Sequence, residues 1–219
     1  MKKISPPVLQ IALDFISLSD AINIADKVHE FVDWIECGTP LIKSEGKRAI
    51  KALRDRFPEK IIVADMKTID TGKLEAELAF SSGADVISVL AVADDKTIID
   101  AIDVAHSYGG FVMADLIGHP SPDTRIKELS KLGVDIVLYH IGIDQQARMI
   151  FPVKVVDFLR KNTSTFFAVA GGLNDKTAED VTRRGADIVI VGRFITRASN
   201  PRANAQKVKM AIERGYRKS

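Results

Sequence analysis

The sequence contains a single cysteine, Cys37, among its 219 residues. One cysteine excludes an internal disulfide framework and is typical of proteins that work in a reducing compartment. No stretch comes near the roughly 18 consecutive apolar residues of a membrane-spanning helix. The first residues include lysines but no apolar segment, which indicates that no secretory signal is present. We therefore expect a cytoplasmic protein that does not associate with membranes.

Neither sign of charge is in excess. The 31 Lys and Arg residues nearly balance the 29 Asp and Glu residues, which leaves a net charge of +2. Acids and bases are interspersed except in the basic tail Glu213–Ser219, and a solvated chain end explains that cluster better than a nucleic-acid contact does. No motif that reads RNA or DNA accompanies it. We expect no nucleic-acid partner.

Linkers and low-complexity segments are absent as well. The chain is 46% hydrophobic, so it can bury a substantial core. Its length fits one domain of generous size. We predict a single domain over residues 1–219.

Short apolar runs alternate with amphipathic segments from one end of the chain to the other, which predicts a parallel sheet. The runs indicate eight strands: Val8–Asp14, Trp34–Gly38, Ile61–Lys67, Asp85–Leu90, Gly110–Ile117, Asp135–Ile141, Thr165–Gly171 and Asp187–Gly192. The segments between them indicate helices: Ala21–Phe31, Gly46–Phe57, Leu74–Ser82, Lys96–Ser107, Thr124–Lys131, Val153–Lys161, Ala178–Arg184 and Ala203–Arg214.

A Gly-x-Asp pattern recurs before three of these strands, beginning at Gly83, Gly133 and Gly185. Each glycine stands where a helix ends and a positive φ is needed, and each aspartate opens the next strand. Eight such units predict an α/β fold, a (β/α)8 TIM barrel. A doubly wound open sheet is the alternative, but it usually has fewer strands, and no G-x-G-x-x-G follows the first strand here.

Charged side chains follow the apolar run Ile61–Ala64. On a strand, Asp65 and Lys67 point to the same face, and Asp70 lies three residues beyond. Burying such charges is costly unless they pair or bind a ligand. Because the cluster terminates a buried strand, we expect it to be functional rather than a solvated surface.

Titratable residues also stand at the ends of other predicted strands. In a barrel these ends meet at one rim, which is where barrel enzymes place their active sites. A set of six groups near one rim predicts such a site: Asp14, Glu36, Asp65, Lys67, Asp115 and His140.

Several of these residues have a structural alternative. Asp14 could cap the first helix, although Ser17 is better placed to do so. Asp70 could be the N-cap of the helix that follows it, and this interpretation and an active-site role are equally open. Asp115 could only brace a neighbouring lysine, and His140 could be a hydrogen-bonded core histidine.

Glycine-bearing turns follow the last two strands. Gly171 and Gly172 come after strand 7, and Gly192 and Arg193 come after strand 8. Bare backbone amides bind phosphate well, and barrels often hold phosphate after these two strands. Arg193 can add a planar, two-pronged donor. We expect a phosphate-binding site there.

Carboxylates dominate the rim, and Cys37 alternates to the face opposite Glu36, so we interpret that cysteine as core rather than as a nucleophile. Carboxylates without a cysteine or a second histidine suit a hard cation. Mg2+ is favoured over Zn2+, and Mn2+ is a possible substitute. Glu36 and Asp65, on adjacent strands, are the natural pair of ligands.

Together these segments resemble the orotidine 5′-monophosphate decarboxylase superfamily and, within it, the 3-hexulose-6-phosphate synthases. The resemblance spans nearly the whole chain and runs through Leu9–Asp14, Ile35–Pro40, Ala64–Asp70, His140–Gln146, Ala170–Gly172 and Val191–Arg193. One departure is Arg193, where many bacterial synthases have a second glycine.

The resemblance implies a lyase that joins formaldehyde to D-ribulose 5-phosphate in a reversible, Mg2+-dependent aldol reaction. The product would be D-arabino-3-hexulose 6-phosphate. It also implies a homodimer with shared active sites, in which Asp70 reaches into the partner's site. We assign roles accordingly: catalysis to Asp14, Lys67, Asp70 and His140, metal binding to Glu36 and Asp65, and substrate binding to Asp115, Gly171, Gly172, Gly192 and Arg193.

Two features separate related activities. The 3-keto-L-gulonate 6-phosphate decarboxylases usually carry an arginine where this chain has Ile143, and losing that cation favours the synthase. Orotidylate decarboxylases have a long loop after strand 7, and Gly172–Lys176 looks too short for it.

The chemistry leaves several interpretations open. His140 has the best unperturbed pKa for a general base near neutral pH. Lys67, between Asp65 and Asp70, would stay protonated and stabilise negative charge. A Schiff-base aldolase would need Lys67 to have a lowered pKa, and neighbouring carboxylates act the other way. A decarboxylase, an isomerase and a non-catalytic phosphosugar-binding barrel are the alternative functions.

Overall fold

A computed structural model describes residues 3–148 and 150–217 of the chain. Met1, Lys2, Met149, Lys218 and Ser219, which include the last two residues of the basic tail, lie outside the described residues.

Eight parallel strands close into a barrel in which each strand pairs with its neighbours in chain order and β1 also pairs with β8. The predicted (β/α)8 fold is confirmed, and the open-sheet alternative is wrong. The strands are β1 Val8–Leu13, β2 Trp34–Cys37, β3 Ile61–Thr68, β4 Val86–Leu90, β5 Phe111–Asp115, β6 Ile136–His140, β7 Phe166–Ala170 and β8 Ile188–Val191.

Helices surround the barrel. They are α1 Leu18–Val28, α2 Thr39–Glu45, α3 Lys47–Arg56, α4 Gly72–Phe80, α5 Asp95–Ser107, α6 Pro122–Leu132, α7 Val155–Arg160, α8 Asp175–Arg183, α9 Arg193–Thr196 and α10 Pro201–Tyr216. Ser17 is the N-cap of α1, as predicted, because its side chain accepts a hydrogen bond from the Asp20 amide.

Two helices were not predicted. α2 begins directly after the β2 end at Gly38, with Pro40 in its first turn, and it joins α3 at Gly46. α9 is a single turn that begins at Arg193. Both are too short to show a helical period in the sequence, and the glycines and proline at their ends are residues typical of loops.

The apolar residues form two separate layers, as expected for a barrel. One lies between the strands and the helices and includes every second strand residue, for example Leu9, Ile11 and Leu13 of β1. The other fills the barrel interior, with Trp34 and Phe111 low in the barrel and Met113 and Leu138 higher. The interior is thus packed below and leaves space only at the C-terminal ends of the strands.

The Gly-x-Asp repeat has a structural explanation. Gly83, Gly133 and Gly185 have φ between 89° and 100° at the ends of helices. The aspartate that follows lies just before an even-numbered strand, and its carboxylate accepts the backbone N–H of a residue in or beside the preceding odd-numbered strand. Asp33, before β2, makes the same contact, so the device occurs four times around the barrel: Asp33 to Leu9, Asp85 to Ile62, Asp135 to Val112 and Asp187 to Phe167.

Each of these aspartates also contacts a lysine, arginine or histidine side chain from a surrounding helix. The pairs are Asp33–Lys209, Asp85–Arg54, Asp135–His106 and Asp187–Arg160. The repeat therefore fastens helices to the N-terminal end of the barrel, opposite the predicted active-site rim. None of the helices in the described part of the chain is both long and apolar enough to cross a membrane.

Candidate active site

A cavity of about 840 Å³ opens at the C-terminal ends of the strands. Nine of the eleven predicted site residues line it: Asp14, Glu36, Asp65, Lys67, His140, Gly171, Gly172, Gly192 and Arg193. The other two, Asp70 and Asp115, do not. The size fits a phosphorylated sugar, since small-molecule sites commonly enclose a few hundred to a thousand Å³.

Asp65 is the most firmly held of the carboxylates. Its Oδ1 accepts hydrogen bonds from the Ser88 hydroxyl at 2.7 Å and from Lys67 Nζ at 3.0 Å. Its Oδ2 and its backbone oxygen both lie 2.7 Å from the hydroxyl of Thr39. The carboxylate is buried, with 6% of the residue exposed. Its orientation is therefore fixed before any ligand binds.

Lys67 pairs with Asp65 and Asp115, each at 3.0 Å from Nζ. We expected Lys67 to lie between Asp65 and Asp70. The second of these partners is wrong: Asp115 takes that place, and Asp70 belongs to the exposed turn before α4. Burial acts to lower the pKa of Lys67, but Asp65, Asp115 and Glu36 outweigh it and raise that pKa above its ordinary value. Lys67 is therefore a fixed positive charge.

Asp115 is fully buried beneath Lys67 and His140. Its Oδ2 lies 3.0 Å from Lys67 Nζ and 2.9 Å from His140 Nδ1, and its Oδ1 accepts the Ile117 amide at 2.9 Å. Burial would raise its pKa, but the bond from His140 and the charges of His140 and Lys67 hold that pKa below its ordinary value. We predicted that Asp115 binds substrate; the structure gives it no surface in the cavity and makes it the shared partner of a lysine and a histidine.

His140 takes its orientation from this contact. An ionised carboxylate can only accept hydrogen bonds, so Nδ1 carries the proton and donates it to Asp115. In the neutral form of the ring, the lone pair is then on Nε2. His140 ends β6, and 20% of its side chain is exposed.

Three carboxylates share one side of the cavity without enough positive charge to balance them. Burial, and then the charges of Asp65 and Asp14, raise the pKa of Glu36 well above its ordinary value. Burial by the cavity walls and the charge of Asp65 also raise the pKa of Asp14, although Asp14 is open to the cavity. The repulsion among these groups would be relieved by a cation.

These residues fit a magnesium ion. In the described ranges, no cluster of three or more His, Cys, Asp or Glu side chains forms a ready-made metal site. Mg2+ does not need one, since it commonly binds through one or two carboxylates together with water and substrate oxygens. Glu36 and Asp65 are oxygen donors on neighbouring strands, both facing the cavity, and the charge of Asp65 disfavours the charged form of Glu36.

Gln10 supports Glu36 from below. Its Nε2 donates to Glu36 Oε2 at 2.5 Å, and both side chains are buried. The other amide atom, Oε1, has no hydrogen-bond partner in the described structure. An unsatisfied buried acceptor costs about 1–3 kcal/mol, so this glutamine is an expensive residue for a barrel core and is best explained by its contact with Glu36.

The turn after β7, where we predict phosphate binding, needs a glycine at position 171. That glycine has a φ of +118°, and a Cβ there would lie 2.5 Å from the backbone oxygen of Ile141. Gly172 also has a positive φ, of +68°. Asn174 then caps α8 by accepting from the amides of Lys176 and Thr177. The turn thus keeps bare backbone at the edge of the cavity.

Arg193 is held beside this turn. Its guanidinium donates to Gln146 Oε1 at 2.7 Å, and Gln146 in turn donates to the Ile141 oxygen at 2.8 Å. Arg193 is exposed and begins α9, directly after Gly192. The cation therefore stands beside the backbone donors of the two turns, where an anion would meet both.

Asp70 faces away from its own cavity. It is exposed, and its Oδ1 accepts only the neighbouring Thr71 amide among the contacts of the described residues. Thr71 rather than Asp70 is the N-cap of α4, so the predicted alternative of a helix cap is wrong. Exposed apolar side chains lie close by in the sequence: Ile69, Leu74 and Leu78.

Cys37 is core, as predicted. It is fully buried and packs in the layer between strands and helices. Burial, Glu36 and Asp65 raise the pKa of its thiol to about 12. A thiol in this state is a poor nucleophile.

Sequence reasoning missed the neutral polar residues that hold the site. Gln10, Ser88 and Thr39 line the cavity together with the charged groups. Gln10 and Ser88 each interrupt an apolar strand with an uncharged polar side chain on the inward face, and that pattern was a usable signal. Gln146 gave none, because it lies in a polar loop.

The model of the orotidine 5′-phosphate decarboxylase / HUMPS family matches residues 7–208. The chain belongs to this family of (β/α)8 barrels. Its sequence is 41% identical over 204 residues to the 3-hexulose-6-phosphate synthase of Mycobacterium gastri, a match that covers 93% of this chain and 99% of that one.

Solved structures give the same relationship. The 3-hexulose-6-phosphate synthase from Salmonella typhimurium superposes with a TM-score of 0.92 at 38% identity, covering 95% of this chain and 99% of that one. The 3-keto-L-gulonate-6-phosphate decarboxylase from Vibrio cholerae superposes with a TM-score of 0.83 at 29% identity, covering 96% and 99%. The barrel is thus shared by two activities, and the greater likeness is to the synthases.

Proposed function

We propose that this protein is a 3-hexulose-6-phosphate synthase, a lyase that adds formaldehyde to D-ribulose 5-phosphate and gives D-arabino-3-hexulose 6-phosphate reversibly. The observation that carries the proposal is the chain of contacts Lys67–Asp115–His140 at the rim of the cavity. It places a base and a fixed positive charge beside each other, which is what the formation of an enediolate requires. The likeness to the synthases of Mycobacterium gastri and Salmonella typhimurium supports it.

His140 is the general base of the proposed reaction. Its Nε2 lone pair accepts a proton from the ketose carbon beside the carbonyl group. Asp115 stabilises the imidazolium that forms, since its carboxylate accepts from Nδ1. The enediolate carbon then attacks the carbonyl carbon of formaldehyde, and the new alkoxide takes the proton back from the His140 imidazolium, which regenerates the base.

Lys67 stabilises the negative charge that develops on the sugar oxygens. Its raised pKa argues against a Schiff-base aldolase, because a lysine must lose its proton before it can attack a carbonyl group. Asp14, open to the cavity beside Gly38, is available to hydrogen-bond the sugar. A Cβ at position 38 would lie 2.4 Å from Asp14 Oδ1, so the glycine leaves room for that carboxylate.

Glu36 and Asp65 would hold Mg2+, or Mn2+, which supplies positive charge to the substrate oxygens when bound. Gln10 keeps Glu36 directed into the cavity, and Thr39 and Ser88 do the same for Asp65. The phosphate would bind at the other side of the cavity, on Gly171, Gly172, Gly192 and Arg193.

We also propose that the protein is a homodimer in which Asp70 acts in the partner's site. Asp70 does not reach its own cavity, and it adjoins the exposed side chains of Ile69 and Leu74, of which 52% and 65% are accessible. An apolar rim beside an unused carboxylate suits a second copy of the chain.

The direct test is to incubate the purified protein with ribulose 5-phosphate, formaldehyde and Mg2+ and to follow the loss of formaldehyde. Omitting the sugar phosphate is the blank. Substitution of His140 by glutamine should abolish turnover while the melting temperature stays near that of the wild type. No loss of formaldehyde, from folded protein with Mg2+ present, would show that the proposed function is wrong.

A further inference from the structure

A bulge in β3 shapes the centre of the site. Ala64 pairs with Ile87 and Thr68 pairs with Val89, so three residues of β3 face the single residue Ser88 of β4. The three are Asp65, Met66 and Lys67. A bulge of this kind interrupts the ladder and redirects side chains.

Lys67 has a left-handed backbone in this bulge, with φ +49°. Residues with a Cβ avoid this conformation unless the surroundings hold them there. The contact that holds it is a hydrogen bond from the Lys67 amide to Ser88 Oγ, at 2.9 Å. The hydroxyl thus replaces a partner that the interrupted ladder cannot supply.

The same hydroxyl donates its proton to Asp65 Oδ1 at 2.7 Å. That oxygen also accepts from Lys67 Nζ at 3.0 Å. Ser88 therefore contacts Lys67 in two ways. It accepts a hydrogen bond from the Lys67 backbone amide, and it binds Asp65, which in turn accepts from the Lys67 ammonium group. Only 1% of Ser88 is exposed, so water cannot readily take its place.

We propose that Ser88 is a positioning residue, which sets the conformation of Lys67 and so places its ammonium group between Asp65 and Asp115. The inference rests on the proposed function for its kinetic readout. Without the hydroxyl, the Lys67 amide loses its partner, and the left-handed backbone loses the contact that compensates for it. Lys67 then relaxes, and its charge leaves the place where negative charge develops.

Thr39 offers a matched comparison. Its hydroxyl lies 2.7 Å from Asp65 Oδ2, so it also holds the carboxylate, but among the hydrogen bonds of the described residues none joins it to Lys67. Thr39→Val removes a hydroxyl from Asp65 at almost constant volume. Comparing Thr39→Val with Ser88→Ala separates the effect of losing a hydrogen bond to Asp65 from the effect of losing the hydrogen bond to the Lys67 amide.

The kinetic test uses Ser88→Ala, Ser88→Thr and Thr39→Val. We expect Ser88→Ala to lower kcat about 10- to 100-fold, the scale of a misplaced catalytic group. KM for ribulose 5-phosphate should stay close to the wild-type value, because the predicted phosphate-binding turns follow β7 and β8. Ser88→Thr, which keeps a hydroxyl, should restore most of kcat. A kcat for Ser88→Ala within about twofold of wild type, or equal losses in Ser88→Ala and Ser88→Thr, would overturn the inference.

A double-mutant cycle on the residual kcat of Lys67→Met, followed at high enzyme concentration, shows whether Ser88 acts through Lys67. In a Lys67→Met background the Ser88→Ala change should add almost nothing, because the group it positions is already absent. Thr39→Val should still add its own loss there. Full additivity of Ser88→Ala with Lys67→Met would assign Ser88 a merely structural role.

A crystal structure of Ser88→Ala tests the inference without activity. We expect Lys67 to leave the left-handed region or its Nζ to leave hydrogen-bonding distance of Asp115. Unchanged Lys67 geometry would contradict the inference even if kcat fell. If Ser88→Ala does not fold, Ser88→Cys keeps the volume with a weaker hydrogen-bonding group and gives the same readouts. An inactive wild type would sink the proposed function alone, since the structural comparison remains available.

Discussion

Asp115 Oδ2 lies 3.0 Å from Lys67 Nζ, although 48 positions separate the two residues in the chain. The same oxygen lies 2.9 Å from His140 Nδ1. One buried carboxylate therefore keeps the lysine charged and fixes the tautomer of the histidine. Lys67 and His140, which the proposed chemistry needs, thus take their charge and their orientation from Asp115, a residue that does not line the cavity.

Asp115→Asn tests this relationship. The amide removes the negative charge, and its NH2 group must face either the Ile117 N–H or the donors of Lys67 and His140, none of which it can accept from. We expect kcat to fall by about 100-fold or more, which is the usual contribution of a positioned acid–base group. Steady-state kinetics with formaldehyde and ribulose 5-phosphate measure it. Asp103→Asn, on the exposed face of α5, is the control and should behave as wild type; equal activity of the two variants would contradict the role of Asp115.

Asp33 represents the fourfold device at the opposite end of the barrel. Its Oδ2 accepts from the Leu9 amide and from Lys209 Nζ, each at 2.7 Å. Asp33→Ala leaves that amide without its acceptor, which costs about 1–3 kcal/mol. We expect a lower free energy of unfolding in urea with kcat unchanged. Asp26→Ala, which breaks only the exposed pair with Arg56, is the control and should unfold close to wild type; equal effects of the two variants would remove any special role for the device.

The fold was largely predictable because each barrel strand is a short apolar run and each connecting helix is amphipathic. The ends were less certain: β5 stops at Asp115, two residues before the predicted end, because the chain turns where Ile117 donates to the Asp115 side chain. Such a turn depends on a side-chain contact that periodicity does not contain.

The site was predictable to the extent that charge marks it. Charged residues at strand ends are conspicuous, so most of the charged side chains that line the cavity were predicted. Their pairing was only partly predictable: the contact of Asp115 with a lysine was one of two open alternatives. Asp70 is nearer to Lys67 in sequence than Asp115 is, and only the closed barrel brings β3 and β5 to the same rim. Gln10 and Ser88 were missed because an uncharged residue in a buried strand has many structural explanations.

Removal of divalent metal should abolish activity, and Mg2+ or Mn2+ should restore it. The physical reason is the group of neighbouring carboxylates, in which Asp65 and Asp14 disfavour the charged form of Glu36 until a cation binds. Glu36→Gln keeps the shape and removes one ligand charge, so we expect weaker Mg2+ binding by calorimetry and a kcat lower by at least about 100-fold. Full activity after exhaustive EDTA treatment, with metal analysis showing none left, would refute the metal assignment.

Mixed dimers test the proposed sharing of sites. Asp70→Ala and His140→Ala are each expected to be inactive, because each lacks one catalytic group. If Asp70 acts across the interface, mixing them rebuilds one intact site in each mixed dimer. Activity should then return toward a quarter of the wild-type value, since about half of randomly mixed dimers are heterodimers and each has one complete site of two.

The control for that experiment is a mixture of Lys67→Met with His140→Ala. Both groups belong to the same cavity, so no mixed dimer contains an intact site and no activity should return. Subunit exchange is verified with two differently tagged chains. Exchange without regained activity in the Asp70 mixture would place Asp70 in its own subunit's site or outside catalysis.

We expect Ile143 to separate the synthase from the decarboxylase on one scaffold. It lines the cavity, and 52% of it is exposed there and at the rim. Both reactions would pass through an enediolate, but a decarboxylase must deliver a proton to it, whereas a synthase must keep it unprotonated until formaldehyde arrives. An apolar side chain at this position excludes an ordered proton donor.

We therefore expect the wild type to consume formaldehyde with ribulose 5-phosphate and to release CO2 from 3-keto-L-gulonate 6-phosphate only slowly. Ile143→Arg should raise the second activity relative to the first, because the guanidinium can orient a water molecule as donor. Ile143→Met, which is apolar and of similar size, is the control and should keep the wild-type ratio. A wild type that prefers decarboxylation, or an arginine variant with an unchanged ratio of the two kcat/KM values, would show that Ile143 does not select the reaction.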